Sequence, residues 1–427
     1  MKKQSLLIAW ALFLGMAASA QTPQEDFKRD TSLSGSNYVA YRGPQKQLTP
    51  APKGYKPFYL SHYGRHGSRY MIGKDAYDVP VNELTKAEKA GMLTAKGKDV
   101  LEKAKLLRTE AKGRDGELTQ LGAEQHKGIA KRMMERFPEV FAGKTNIEAR
   151  STVVIRCILS MENALHQMLS MNPKLNIFHD ASEHDMYYMN LDDPKIEALK
   201  RSQELRLAQQ AFAAKHNNYK HVMSVLFKDP NWVSKHINQS DLNSKLFHLA
   251  SSVQGTELRH QLSLYDIFSE EEIYDNWLMN NLWWHHAYGF DESTGNIQPY
   301  SQRNLLRNII ETADSCIALE HPGATLRYGH DTMVTPLTCL LDLNGYGEEI
   351  SDPEMVGKKW FDYKITPMAT NLQFVFYRKN KNDKDVIFKV LLNEDEATLP
   401  IKSDIAPYYH WNDFKTYFLK KINDYKD

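Results

Sequence analysis

The chain has 427 residues and a formal net charge of +1, and 42% of its residues are hydrophobic while 25% are charged. This balance is typical of a globular protein and excludes a disordered or fibrous one. A net charge so close to zero disfavours a general nucleic-acid binder, which usually carries a strong basic excess. The length suits one large domain or two of ordinary size.

Residues 1–20 have the pattern of a secretory signal peptide. Lys2 and Lys3 form a basic start, a mostly apolar run follows from Leu6 to Ala17, and Ala18–Ala20 fits the small-x-small cleavage pattern. The apolar run is too short to span a bilayer stably, and an uncleaved membrane anchor is the alternative. The pattern predicts an exported chain, periplasmic or secreted, without stable membrane insertion.

The sequence contains three cysteines, Cys157, Cys316 and Cys339, so at most one disulfide can form. They form no Cys-x-x-Cys pair, and a thiolate zinc site is therefore not indicated. We expect all three to be small core residues. A chain of this size can bury a sufficient hydrophobic core without covalent cross-links.

A chemically distinctive loop follows an irregular, polar lead-in over residues 21–56. Phe58–Leu60 has the apolar character of a short strand, and the loop after it carries Arg65, His66 and Arg69. Two nearby cations disfavour the imidazolium form, so we expect His66 to be neutral and nucleophilic. The arginine forks match the oxygens of a phosphate or a carboxylate. The alternative is a surface loop with scattered basic residues.

Gly67 directly follows His66, and its missing side chain is expected to let a ligand approach the backbone. Further along, Thr85–Glu110 is predicted to be helical, with a break between Gly91 and Gly97. Thr119 is a suitable N-cap for another helix. Asn146–Ala149 then reads as a short strand that leads into a further helix.

The character of the chain changes at about Ala181. Residues 181–300 are polar, aromatic and rich in helical patterns, so we interpret them as a mainly helical insertion that forms a cap over the core. Strands and helices alternate again after Tyr300, with a strand at Ala324–Tyr328 and a helix that starts near Thr335, with Pro336 in its first turn. The last predicted elements are an amphipathic helix over Ser301–Leu319, an antiparallel pair at Asn371–Arg378 and Val386–Leu392, and a closing helix over Trp411–Ile422.

Strands that alternate with helices predict an α/β fold. We expect a three-layer core with a mostly parallel central sheet, formed by residues 21–180 and 301–427. Ligands of such sheets bind at the carboxyl ends of the strands. Three predicted strands each end in a charged turn, and these turns hold Arg65, Arg150 and His330 with their neighbours. If the strands are parallel neighbours, the three turns converge on one site.

Four segments resemble, in the same order, those of the histidine phosphatase superfamily. The resemblance is strongest to its branch of histidine acid phosphatases, phytases and multiple inositol polyphosphate phosphatases. The segments are Arg65–Arg69 (Arg-His-Gly-Ser-Arg), Leu118–Gly122 (Leu-Thr-Gln-Leu-Gly), Arg150–Thr152 with Arg156, and Gly329–Thr332 (Gly-His-Asp-Thr). The antiparallel strand at Asn371–Arg378 also suits the family, while the insertion matches only in length and position.

The resemblance implies covalent phosphoryl transfer in two steps. His66 would attack phosphorus and become phosphohistidine. Asp331 would protonate the leaving alkoxide and then help to remove a proton from the attacking water. Four basic side chains would hold the phosphoryl oxygens: Arg65, Arg69, Arg156 and His330. The resemblance implies no metal and no cofactor, since the arginines supply the positive charge.

The implied function is an exported hydrolase of a small-molecule phosphomonoester, and inositol polyphosphates such as phytate are candidate substrates. The pair His330-Asp331 is typical of acid phosphatases and many phytases, whereas the inositol polyphosphate branch often has His-Ala-Glu. Tyr70-Met71 stands where many relatives have proline, so the substrate is open. The alternative is a non-catalytic phosphate- or glycan-binding protein on the same fold. A binder needs the arginines but not a proton donor, so Asp331 disfavours it.

Three other clusters have a functional and a structural interpretation. His179-Asp180 with His184-Asp185 forms either a metal site or a solvated loop. His285-His286, beside Trp283-Trp284, forms either a carbohydrate or metal surface or packing within the cap. A predicted basic helical face either meets a polyanionic substrate or is plain solvated surface, and it consists of Lys195, Lys200, Arg201 and Arg206. We expect the structural interpretation in each case.

Overall fold

The computed structural model describes residues 22–191 and 193–426. The predicted signal peptide, residues 1–20, lies outside the described residues. Within the described ranges, no helix combines the length and the apolar character that crossing a membrane requires.

A mixed sheet of eight strands forms the centre of the described chain. Its strands are β1 (Lys56–Arg65), β2 (Asn146–Ser151), β3 (Asn176–Ala181), β4 (Gly323–Gly329), β5 (Asn371–Arg378), β6 (Ile387–Leu392), β7 (Asp395–Ala397) and β8 (Tyr409–His410). The order is β3-β2-β4-β1-β5-β6-β7, and β8 pairs with β6. β3, β2, β4 and β1 pair in parallel, while the remaining pairs are antiparallel.

Helices cover both faces of the sheet, which confirms the predicted α/β core. They are α1 (Pro23–Arg29), α2 (Asp75–Lys89), α3 (Ala95–Glu110), α4 (Gln120–Arg136), α5 (Ile155–Met171), α6 (Met186–Met189), α7 (Pro194–Lys200), α8 (Gln203–His216), α9 (Lys220–Leu226), α10 (Pro230–His236), α11 (Gln239–Ser252), α12 (Glu270–Tyr288), α13 (Arg303–Ile317), α14 (Asp331–Leu340), α15 (Pro353–Lys359), α16 (Asp362–Ile365) and α17 (Trp411–Asp424). One apolar cluster joins the sheet to α4 and α5. A second joins the opposite face to α13, α14 and α17.

A third apolar cluster lies among the helices outside the sheet. Leu226, Leu246 and Trp277, from the predicted insertion, share it with Leu84 of α2 and Leu101 of α3. The helical layer therefore includes chain that precedes the predicted insertion. The limits 181–300 for a cap domain stay a prediction.

Part of the predicted lead-in, from Thr22 to Tyr38, is more ordered than expected. Thr22 and Glu25 form a capping box at the start of α1, with the Thr22 N–H bonded to the Glu25 carboxylate at 2.9 Å. A 3₁₀ segment follows over Thr31–Tyr38. The prediction of an irregular lead-in is therefore wrong for α1 and the 3₁₀ segment. The Thr-x-x-Glu spacing at Thr22 and Glu25 could have indicated the start of α1.

The helix predicted to start near Thr335 begins four residues earlier, at Asp331. An acidic first residue is favourable there, because the Asp331 carboxylate accepts the Thr332 N–H at 3.0 Å. Pro336 therefore lies in the interior of α14 rather than in its first turn. Because proline has no N–H, the Thr332 carbonyl lacks its helical hydrogen bond.

All three cysteines are free thiols. Cys157 and Cys339 are buried, as predicted for core residues, whereas Cys316 is only partly buried.

Candidate active site

The carboxyl ends of three parallel strands lie side by side at one edge of the sheet. Arg65 at the end of β1 pairs with Gly329 at the end of β4, and Ser151 at the end of β2 pairs with Tyr328. The His66 N–H continues the β1 pairing by donating to the Gly329 carbonyl at 2.9 Å. The three charged turns therefore converge, as expected for parallel neighbours.

The space beside Gly67 is filled by protein, so the expectation that it admits a ligand is wrong. A Cβ at Gly67 would lie 2.3 Å from the Gly122 carbonyl oxygen, and a Cβ at Gly122 would lie 2.2 Å from the Ser68 carbonyl oxygen. Thr119 donates to the same Ser68 oxygen through its N–H at 2.9 Å and its hydroxyl at 3.1 Å. The Leu-Thr-Gln-Leu-Gly segment thus supports the loop that carries His66.

Backbone N–H groups of this loop are already bonded within the protein. The Gly67 N–H donates to the Ser160 hydroxyl at 3.1 Å, and the Ser68 N–H donates to the Gln125 side-chain oxygen at 2.8 Å. The His66 N–H donates to the Gly329 carbonyl of β4. An anion bound near His66 must therefore be held mainly by side chains.

His66 is buried, and its tautomer follows from one contact. Its Nδ1 lies 2.9 Å from the Gly67 carbonyl oxygen. A carbonyl can only accept, so Nδ1 carries the proton and Nε2 has a free lone pair. Burial, followed by the charges of Arg65, Arg69 and Arg156, holds the pKa of His66 well below its ordinary value. His66 is therefore a neutral imidazole with a nucleophilic Nε2, and burial contributes more than the two neighbouring cations invoked from the sequence.

Three arginines surround His66. Arg65 is fully buried and donates through Nη1 to the carbonyls of Asn37 at 2.7 Å and Thr366 at 2.9 Å. Arg69 donates to the Tyr70 carbonyl at 3.0 Å. Among the described residues, buried side-chain nitrogens without a hydrogen-bond partner include the Nε atoms of Arg65, Arg69 and Arg156. Because unpaired buried donors are costly, these nitrogens suit an oxyanion.

His330 lies across from His66, with the ring centroids 5.7 Å apart and the rings nearly perpendicular. Its Nε2 is 3.2 Å from the Thr152 hydroxyl, and the Cys157 sulfur is 3.7 Å from the same nitrogen. Burial and the charge of Arg156 lower the pKa of His330 to about 4. Sequence reasoning did not assign Thr152 or Cys157 to the site, although Thr152 lies within the Arg-Ser-Thr segment.

Asp331 is the one carboxylate in direct ionic contact with Arg65 among the described residues. Its Oδ2 lies 2.7 Å from Arg65 Nη2 and accepts the Asn37 amide at 3.0 Å. Burial raises the pKa of Asp331, but Arg65, Arg69 and the Asn37 amide outweigh it and hold the pKa below its ordinary value. The group is thus ionised before a ligand binds. A phosphate dianion would oppose the arginine charges and make protonation easier.

Asn37 contacts two site residues, Arg65 and Asp331, and the sequence did not indicate this role. It lies in the 3₁₀ segment Thr31–Tyr38, and the preceding residue, Ser36, has a φ of 56°. The Ser36 hydroxyl is hydrogen-bonded to the buried carboxylate of Asp362. No motif or periodicity in the polar lead-in indicated this contact.

Arg150 and the histidines after β2 lie outside the site. Arg150 pairs with Glu148 at 2.8 Å and with Asp185 at 3.4 Å. His179 pairs with Glu162 at 2.7 Å. The described residues contain no group of three or more histidines, cysteines or acids that could hold a metal ion.

Members of the remaining two sequence clusters form ion pairs within the protein. His285 and His286 are buried in α12, and both face Asp291, at 3.1 Å and 3.5 Å. The predicted basic face is not one helical face, because Lys195 and Lys200 belong to α7 and Arg206 to α8. Lys200 and Arg201 are paired with Glu197 at 2.6 Å and 3.8 Å.

Comparison with known proteins agrees with this geometry. A sequence profile of the histidine phosphatase superfamily (branch 2) matches residues 64–393. The chain is 22% identical over 408 residues to multiple inositol polyphosphate phosphatase 1 of Gallus gallus, a match that covers 86% of this chain and 84% of that protein.

Two solved structures share the fold. The multiple inositol polyphosphate phosphatase of Bifidobacterium longum in complex with phosphate is similar with a TM-score of 0.77 at 17% identity, over 90% of this chain and 97% of that one. The phytase from D. castellii is similar with a TM-score of 0.68 at 15% identity, over 98% of this chain and 91% of that one.

Proposed function

The chain belongs to the histidine phosphatase superfamily (branch 2), and we propose that it is an exported phosphomonoester hydrolase that acts through a phosphohistidine on His66. One observation supports this above others. The buried imidazole of His66 has its proton on Nδ1, which leaves a free Nε2 lone pair on a ring that three arginines surround. A site that only bound phosphate would need the arginines, but neither a neutral nucleophile nor Asp331.

In the first step, Arg65, Arg69, Arg156 and His330 hold the oxygens of the phosphate ester. The Nε2 lone pair of His66 forms a bond to phosphorus while the bond from phosphorus to the leaving oxygen breaks. Asp331, protonated as the dianion binds, gives its proton to that oxygen and becomes a carboxylate. The arginines offset the charge that spreads over the phosphoryl oxygens.

The second step regenerates the enzyme. The Asp331 carboxylate takes a proton from a water molecule, and the water oxygen attacks phosphorus. The bond between phosphorus and Nε2 breaks, inorganic phosphate leaves, and His66 recovers its lone pair. Asp331 is then protonated again and ready to act as an acid.

The proposed substrates are simple phosphomonoesters and inositol polyphosphates such as phytate. The names of the relatives from Gallus gallus and D. castellii support the second class. Export rests on the pattern of residues 1–20, whose cleavage would release the mature chain to the periplasm or outside the cell. The proposed reaction uses neither metal nor cofactor.

Trapping the covalent intermediate tests the mechanism. Purified protein is mixed with nitrophenyl phosphate, quenched in alkali, and the peptide that contains His66 is examined for phosphohistidine by mass spectrometry. His66→Ala should lack the adduct and lose several orders of magnitude in turnover, as expected for loss of a covalent nucleophile.

His166→Ala provides the matched control, because His166 is exposed on α5 and away from the loop. It should form the adduct and turn over like the wild type. If His66→Ala keeps more than about a tenth of wild-type activity, the phosphohistidine assignment is wrong. A panel of phytate, a sugar phosphate and nitrophenyl phosphate, with released phosphate as the readout, defines the substrate class.

A further inference from the structure

Asn37 contacts the acid and one of the arginines of the proposed reaction at the same time. Its amide nitrogen donates to Asp331 Oδ2 at 3.0 Å, and its backbone carbonyl accepts from Arg65 Nη1 at 2.7 Å. The other oxygen of Asp331 accepts the Thr332 N–H at 3.0 Å. Two neutral N–H donors, one on each oxygen, therefore define the plane of the Asp331 carboxyl group.

The other groups that face Asp331 are titratable or charged. They are Tyr63 and Arg65 of β1, Arg69 of the following loop, Arg156 and Cys157 of α5, and His330 after β4. The three arginines and His330 are the groups that hold the phosphate in the proposed reaction. When a phosphate binds, they are drawn to its oxygens, whereas the Asn37 amide has no charge to attract it there.

We propose that Asn37 is a positioning residue that orients Asp331 and sets the acidity of its proton during turnover. The proposal deepens the proposed phosphatase function and rests on it. When Arg65 turns to the phosphate, one lone pair of Asp331 Oδ2 is released and takes the proton. The Asn37 amide stays on the other lone pair and favours the ionised form, so it helps the proton to leave.

Asn37 is itself held in place by the helical layer. Ser36 has a φ of 56° and a ψ of −129°, a combination unusual for a residue with a side chain, and its hydroxyl is bonded to Asp362. Trp277 of α12 donates to the other oxygen of Asp362 at 2.9 Å. These contacts fix the backbone just before Asn37, as a positioning role requires.

The test compares Asn37→Ala and Asn37→Asp with the wild type. Removing a hydrogen bond that favours a carboxylate raises its pKa, so Asp331 stays protonated to higher pH. The alkaline limb of kcat on an alkyl phosphate should move up by about one pH unit in Asn37→Ala. It should move further in Asn37→Asp, because a second carboxylate repels the first.

A second readout does not depend on turnover. The carboxyl carbon of Asp331 is titrated by ¹³C NMR in aspartate-labelled protein, with the signal assigned by its absence in Asp331→Asn. Its midpoint should rise in Asn37→Ala and rise further in Asn37→Asp. Denaturant melts establish that both variants are folded.

Gln254→Ala is the matched control, because Gln254 holds the same segment through Ala40 at 2.9 Å and Ser32 at 3.0 Å but does not touch Asp331. It should leave both titrations at their wild-type positions. Unchanged titrations in the Asn37 variants, with equal rate losses on alkyl and nitrophenyl phosphates, would overturn the proposal. If the wild type hydrolyses none of the esters, the proposed phosphatase function is wrong. The NMR midpoints then show by themselves whether Asn37 lowers the pKa of Asp331.

Discussion

Replacing Gly122 with alanine should displace the loop that carries His66. The new Cβ would lie 2.2 Å from the Ser68 carbonyl oxygen and 2.8 Å from the Ser68 nitrogen. A carbon and an oxygen rest at about 3.3 Å in weak contacts. The backbone must therefore separate by about 1 Å, since neither neighbouring atom belongs to a flexible side chain.

The expected effect follows from that displacement. Moving a catalytic group by about 1 Å lowers the rate on the order of 10²-fold. Overpacking of this kind destabilises a protein by about 1–3 kcal/mol, and here the two bonds from Thr119 to the Ser68 carbonyl must also lengthen. We expect kcat on nitrophenyl phosphate to fall by about two orders of magnitude, together with a lower denaturant midpoint.

Gly128→Ala on the same helix is the matched control. Its Cβ would lie 3.1 Å from Arg132 Nη1, the nitrogen of that guanidinium that does not bond to Glu394, so a shift of a few tenths of an ångström relieves the contact. Alanine in a helix interior is favoured over glycine by roughly 0.5–1 kcal/mol, so this variant should keep wild-type activity and gain slightly in stability. Wild-type kinetics in Gly122→Ala would refute the reasoning, because His66 would then be positioned independently of α4.

Two further predictions concern protons. Asp331→Asn keeps the size of the side chain but cannot deliver a proton, so it should lose about 10²-fold more activity on an alkyl phosphate than on nitrophenyl phosphate, whose leaving group departs unprotonated. Equal losses in steady-state assays would assign the proton to another group. Burial lowers the pKa of His126 to about 4, so the folded protein loses stability as pH falls from 6.5 toward 4. His126→Leu should reduce that loss, by on the order of 2–3 kcal/mol between pH 7 and 4.5 in denaturant melts, and an unchanged loss would place the acid sensitivity elsewhere.

Three of the four parallel strands were predicted, because buried strands are short apolar runs that end in polar turns. The fourth, β3, was missed, and His179 and Asp180 lie on this strand rather than in the expected loop. Asn146–Ala149 and Ala324–Tyr328 lie inside β2 and β4. β1 is longer than the predicted Phe58–Leu60, since it continues to Arg65 through polar residues that the fold buries. The charged turns identified the edge of the sheet where the site forms.

Contacts between distant segments could not be predicted in this way. The bond from Ser36 to Asp362 joins residues 326 positions apart, and it directs Asn37 to Asp331. Gly67 illustrates the same limit. A glycine shows that a side chain is missing, but only the fold shows that the Gly122 backbone fills the space.

β4 is a central strand, so the sheet cannot form until β4 has been synthesised. β4 begins at residue 323, yet it lies between β1 and β2, which end at residues 65 and 151. At about 5–20 residues per second, roughly 10–30 s of synthesis separate β2 from β4. During that interval β1 and β2 each present an unpaired edge, which invites binding by a chaperone or aggregation. A nascent chain that cannot yet complete its sheet also stays unfolded, and that is the state that the proposed export would require.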